Sequence, residues 1–140
     1  ESRYQLNNLN VVFLILEESD EKRELFHSVK AGLSYLQDKC LSVVFTPVNA
    51  PMFIPKTIVE MRKYHDDIVV PSYKKKAGHP VLISNEMIPD ILAYDGENGL
   101  RGAIEKYAGR RVFVEVDDIG VLSLNQEDDE LQSRIEEHHP

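Results

Sequence analysis

At 140 residues, 42% apolar and 29% charged, the chain has the length and composition of one soluble globular domain able to bury a core. Its net charge of −8, without a basic stripe, argues against nucleic acid as a partner. No apolar run approaches a bilayer span and Glu1–Asn10 lacks the regions of a signal peptide, so no membrane partner is expected; Cys40, the only cysteine, rules out an internal disulfide and points to the cytoplasm.

Val11–Leu16 is a continuous apolar run of the kind that forms a strand buried on both faces. The polar stretch Glu17–Glu24 follows. Leu25, Val29, Leu33 and Leu36 then recur at helical spacing, so an amphipathic helix with those residues inward is expected. Leu41–Phe45 reads as a second buried strand, and the prolines of Thr46-Pro47-Val48-Asn49-Ala50-Pro51 force it into a loop. Pro55 suits the first turn of a helix running to about Tyr64, with Ile58 and Met61 inward.

Ile68–Val70 and Val81–Ile83 read as short strands bounded by Pro71 and Pro80. The stretch between them carries Tyr73, the lysines Lys74, Lys75 and Lys76, and then Gly78-His79-Pro80. Such a middle suits a loop presented to a ligand better than a core segment. Met87, Ile88, Ile91 and Leu92 mark a short helix near Pro89. The turn cluster Asp95-Gly96-Glu97-Asn98-Gly99 leads into another, with Leu100, Ile104 and Tyr107 on one side. Val112, Val114 and Val116 alternate with Phe113 and Glu115, as a strand with one wetter face would. Ile119–Leu122 adds a short strand, and Gln126–Glu137 a polar terminal helix. Acidity is concentrated at this end: from Asp117 to Pro140 eight acids stand against Arg134 alone. Strands alternating with helices predict an α/β sandwich with a mainly parallel sheet, one domain over 1–140 with an acidic tail from about residue 126.

Five short motifs in order resemble the MobA-like nucleotidyltransferases, which include the enzymes that attach CMP or GMP to molybdopterin. Phe26-His27-Ser28-Val29-Lys30-Ala31-Gly32-Leu33 is similar to the family's S-S-(V/L)-(K/R)-A-G-L helix start, and Val43–Pro51 to the strand and loop that carry D-x-P. Tyr73 through Leu82 resembles Y-x-x-x-x-G-H-P-V-L, the most specific match. Gly99-Leu100-Arg101-Gly102 resembles G-(A/L)-R, and Gly120–Asp129 the ending G-(I/V)-L-x-D-I-D-T-P-E-D. The resemblance implies a three-layer α/β/α Rossmann-like sandwich, with magnesium and CTP or GTP as the family's cofactor and substrate.

It also implies departures. The family's glycine-rich loop G-x-S-x-R-M-G, whose backbone N–H groups hold the triphosphate, has no counterpart before Val11, so by the family's plan the chain starts about fifty residues late. Asn49 stands where the family has the metal-binding aspartate of D-x-P, and Ser123 and Asn125 where it has the two aspartates of D-I-D-T-P. Magnesium is held mainly through carboxylates, so three neutral replacements imply lost catalysis. The reading is then a non-catalytic ligand-binding or assembly module. Its alternative is an active transferase of CMP or GMP to a molybdopterin-type cofactor when the missing loop is supplied.

The resemblance maps ligand contacts to Ser28, Lys30, His79 and Arg101, each with a rival role. Ser28 with Lys30 at a helix start suits an anion or is a cap. His79 contacts a ligand or holds its turn through a backbone hydrogen bond. Arg101 meets phosphate or pairs with Glu97 or Glu105. Lys74–Lys76 attract phosphate or are a solvated tip. Gly96, Gly99 and Gly102 are turn and packing residues or a phosphate cradle. His65-Asp66-Asp67 are metal ligands or an ordinary polar turn. A nucleotide or pterin is the implied ligand. The family's missing first strand would leave Val11–Leu16 and Leu41–Phe45 flanking a gap, closed by pairing the two strands with each other, by a homodimer, or by a partner chain.

Overall fold

The computed structural model describes Leu14 and residues 21–123. Helix α1 spans Glu21–Leu36. Phe26, Val29 and Leu33 fall three and four apart and are buried, which gives the helix its inward stripe. Leu25 does not join them; it is 68% exposed, because the stripe is centred one residue further on. Asn85 closes the turn after α1, its amide donating to the carbonyls of Gln37 and, at 2.9 Å, Cys40.

Strand β1 is Ser42–Phe45, and helix α2 is Pro55–Met61, with its proline in the first turn and its end short of the expected Tyr64. Strand β2, Ile68–Tyr73, is buried at every position. Strand β3 is Lys76–Ala77 and strand β4 Val81–Ser84. Helices α3, Ile88–Ala93, and α4, Gly99–Lys106, follow, then strand β5, Arg111–Glu115. Ile119–Val121 forms a 3-10 turn rather than the expected strand. The expected terminal helix Gln126–Glu137 lies outside the described residues, as does the expected strand Val11–Leu16 apart from Leu14, which belongs to no regular element.

The sheet runs β1-β4-β2, with β5 on the far side of β2 and β3 continuing the edge that β4 begins. β4 is antiparallel to both β1 and β2, and β5 is parallel to β2. β1, β2 and β5 therefore point the same way, with β4 reversed among them. The α/β sandwich stands, with a mixed sheet in place of a mainly parallel one: only the β2–β5 ladder is parallel among the described residues. The two expected central strands are neighbours, with Ile68 opposite Ile83 and Val69 opposite Leu82.

Pro71 lies inside β2 instead of bounding it. Its carbonyl accepts from Gly78 N–H at 2.8 Å, and the N and O of one strand residue face the same side. Its missing N–H faces the same side, toward Gly78, so the strand forgoes one donor at the end of the β2–β3 ladder, where β3 gives way to β4. The β2–β3 hairpin turns on Lys74 and Lys75, whose φ angles of 48° and 68° are the left-handed pair of a type I′ turn. Glu115 braces it, accepting from Ser72 Oγ at 2.6 Å and from Lys75 N–H at 3.4 Å.

Alternate residues of β2 and β4 serve opposite faces. Ile68, Val70, Val81 and Ile83 pack under α1 and the residues of α3. Val69, Tyr73 and Leu82 pack with Met61 of α2 and with Val116, Val121 and Leu122. The result is three layers, each buried aliphatic contributing about 1.5–3 kcal/mol.

Two glycines let the third layer close. A Cβ on Gly78 would strike the Val121 carbonyl, and one on Gly120 the Met52 carbonyl. Asp118 locks the same layer from inside: Oδ2 accepts from Ile54 N–H at 3.0 Å and Thr57 Oγ1 at 2.6 Å, and Oδ1 accepts from Gly120 N–H at 2.9 Å. It thus caps the start of α2 from a distant part of the chain, where a helix welcomes negative charge.

Candidate functional site

On the α1 and α4 side, the described residues leave a cleft of about 870 Å³ over the sheet. Strand register sets its floor. Phe45 of β1 lies opposite Val81, and Val70 of β2 opposite Phe113; continuing the β2–β4 register by one residue sets Val70 beside Val81. The floor is thus a row of two valines with an aromatic ring at each end. At strand spacing the two rings stand about 14 Å apart.

Above this apolar floor the walls mix apolar side chains such as Leu25, Leu100 and Ile104 with charged ones that are mostly basic. Among the described residues, Lys76, Arg101 and Arg111 line the cleft, and Glu105 is the one carboxylate there. Arg101 Nε meets Glu105 Oε1 at 3.4 Å, but the arginine side chain is 87% exposed, so the pair is weak. The Arg111 guanidinium lies over the Phe113 ring, 4.4 Å from its centroid. The start of α4 also faces the cleft through Asn98 and Gly99, and Asn98, in the left-handed conformation, gives that helix no side-chain cap. Basic side chains and a helix start converge on one space, as an anion site requires.

The structure brings three of the mapped residues together here: Asn49, His79 and Arg101 all line the cleft. His79 holds its turn through the backbone and also lines the cleft. Its N–H donates to the Val121 carbonyl at 2.7 Å, while its ring stands edge-on to Phe45 with centroids 6.0 Å apart. Burial pushes the imidazole pKa below its ordinary value of 6.5, so a neutral ring faces the cleft at pH 7.

Lys30 is placed elsewhere: Nζ donates to the Tyr94 carbonyl at 2.8 Å and lies over the Phe26 ring, fastening α1 to the end of α3. Ser28 sits in the middle of α1 rather than at a helix start, because the helix begins at Glu21, and it does not line the cleft. Ser123 is outside the cleft lining and Asn125 outside the described residues. Asp67 is committed to Arg110, which bridges it at 2.8 Å and Asp90 at 2.7 Å. Gly96 and Gly99 border the cleft at positive φ, while Gly102 packs against the Glu97 carbonyl.

Magnesium is the metal that the resemblance implies, and the described residues do not fit it. The cleft offers a neutral amide at Asn49 and one carboxylate that Arg101 already engages. No group of three or more His, Cys, Asp or Glu able to hold a metal occurs among the described residues.

Sequence reasoning missed Arg111 and Phe113 as cleft residues, while Lys76 belongs to the lysine run weighed for phosphate. The available signal was Phe113 itself, an aromatic on the wetter face of an alternating strand.

Three layers around a mixed sheet, with a basic cleft on one face, define a nucleotidyltransferase-like α/β fold. Solved structures share it, among them the following three. The homologue of Rv0371c from Mycobacterium sp. strain JC1 is 19% identical, with a TM-score of 0.57 over 78% of this chain and 58% of its own. Rv0371c of Mycobacterium tuberculosis H37Rv, solved with manganese, is 18% identical, with a TM-score of 0.54 over 76% and 60%. The bifunctional IspDF of Campylobacter jejuni is 14% identical, with a TM-score of 0.61 over 87% and 37%. The chain therefore spans under two thirds of the length of each.

The model of the MobA-like NTP transferase domain matches residues 1–112, and the chain belongs to that family. No curated protein matches it. Among the described residues, no helix is long and apolar enough to cross a membrane.

Proposed function

We propose that this chain is a non-catalytic MobA-like domain that binds a phosphate-bearing heterocycle, a nucleotide or a pterin, in the cleft above Val70 and Val81, without magnesium. The observation that carries this reading is the charge of the cleft wall. Where the family is expected to supply carboxylates and a metal, this cleft presents Asn49 together with Lys76, Arg101 and Arg111. Fixed cations can neutralise phosphate directly, as the metal does in relatives that use it. A cytoplasmic setting and a place beside molybdenum cofactor synthesis accord with the single cysteine and the family.

Calorimetry with CTP, GTP and a phosphorylated pterin, in magnesium and then in EDTA, tests the reading. Binding of at least one ligand is expected, unchanged by EDTA and weakened by salt. Transfer of labelled CMP or GMP to a molybdopterin acceptor would overturn the non-catalytic assignment. The second reading, an active transferase completed by a glycine-rich loop, draws on His79 and Arg101 standing together in the cleft. A third role, assembly with a second copy or a partner chain, draws on β1, which pairs only with β4 among the described residues.

A further inference from the structure

The geometry points to Phe113, backed by Arg111, as the plane on which the planar heterocycle of the ligand stacks. This inference rests on the proposed ligand class and adds to it the position and the residues of the ring site. Phe113 is 50% exposed although it stands on a strand whose alternate residue, Val114, is buried. Half of a large aromatic surface is therefore held open at the end of an apolar floor. Arg111 covers the ring from one side at 4.4 Å, and a guanidinium over phenyl makes a stiff two-layer stack.

Phe45, the ring at the other end of the floor, is less available. It is half-buried, and His79 stands edge-on against it. Only the β5 end presents an open aromatic face beside a fixed cation. A base or pterin ring resting there gains stacking and cation–π attraction together. Arg101, on α4 and held only in a loose pair with Glu105, faces the same cleft for the phosphates.

The test compares the whole chain with Phe113→Ala, Phe113→Leu and Arg111→Lys, titrated with GTP, CTP, a phosphorylated pterin and inorganic triphosphate. Circular dichroism first establishes that each variant keeps its fold; Phe113→Leu and Arg111→Lys are the mild forms should the alanine variant unfold. The expected result is about tenfold weaker binding of the heterocyclic ligand by the Phe113 variants, with inorganic triphosphate unaffected. Arg111→Lys keeps the charge and loses the plane, so it should also weaken the heterocycle more than triphosphate. Ring protons of the bound ligand should shift upfield in the wild-type spectrum and not with Phe113→Leu. The three organic ligands distinguish a nucleobase from a pterin. Equal losses for triphosphate and heterocycle, or no loss at all, would overturn the stacking site while leaving the proposed function intact. A wild-type chain that binds none of the probes would overturn both.

Discussion

On the α2 face of the sheet, polar side chains are consumed by the fold. Asp118 receives three hydrogen bonds there. On the α1 and α4 face, the cleft holds Arg101 in a loose, exposed pair and Arg111 against a half-open ring. Both faces carry charge in an apolar setting, yet Asp118 is held by three hydrogen bonds and the cleft arginines by looser contacts. The contrast shows that charge at an edge is informative chiefly where the protein's own donors and acceptors leave it lightly engaged.

Substitutions on the two faces should separate in kind. The largest effect is expected from Asp118→Ala, which strands the Thr57 hydroxyl and the N–H groups of Ile54 and Gly120; a loss of about 3 kcal/mol should appear in urea unfolding. A loss within about 0.5 kcal/mol would mean that this face is no more committed than the cleft. Next comes Gly120→Ala, whose methyl meets the Met52 carbonyl and should cost about 1–3 kcal/mol by the same measurement.

His79 sits on the boundary and should make stability depend on pH. Its folded pKa lies below 6.5, so the unfolded chain takes up more protons as pH falls through that value, and stability is lost toward acid. His79→Gln should flatten the fall in melting temperature between about pH 7 and about pH 5; an unchanged profile would place the imidazole in water. Glu115 adds an acid-side effect of the same sign. The Ser72 hydroxyl, followed by the turn N–H groups, holds its carboxyl below the ordinary value of 4.5, so that contribution is present above 4.5 and lost as pH falls further.

The smallest stability changes belong to the cleft pair. Arg101→Ala and Glu105→Ala should each shift stability by less than about 0.5 kcal/mol. Their ligand effects should be opposite: calorimetry with inorganic triphosphate should show weaker binding without Arg101 and tighter binding without Glu105. Parallel changes would make the pair part of the scaffold instead.

Much of the fold was legible because hydrophobic spacing reports burial directly. Val29 and Leu33, the alternation through Val112 and Val114, and the strands Ile68–Val70 and Val81–Ile83 could all be read along the chain, though not how those two strands pair. Pro71 misled because a proline's tolerance within a strand depends on what its nitrogen faces, and that depends on Gly78, which packs there only in three dimensions. Leu25 misled because helical spacing leaves the centre of the stripe uncertain by one residue. Of the site, Asn49, His79 and Arg101 came from motif order, while Lys30 and Ser28 were misplaced because α1 begins earlier than the motif suggested. Phe113 meets Val70 and Val81 only across strands, a register that no spacing along β5 records. Asp118 looked like one acid among many; its role depends on Ile54 and Thr57, some sixty residues away.

The hairpin at Lys74 and Lys75 has a consequence for protease sensitivity. Three consecutive lysines on a surface turn are a natural target for trypsin, which must draw several residues into an extended shape before it cuts. Left-handed backbone at both turn positions, the short ladder to Lys76 and Ala77, and the brace from Glu115 all oppose that extension. Cleavage here therefore requires the hairpin to open first, and brief digestion becomes a clock for that opening. Replacing Glu115 with Gln should speed the cut after these lysines while leaving cleavage after the exposed Lys56 unchanged.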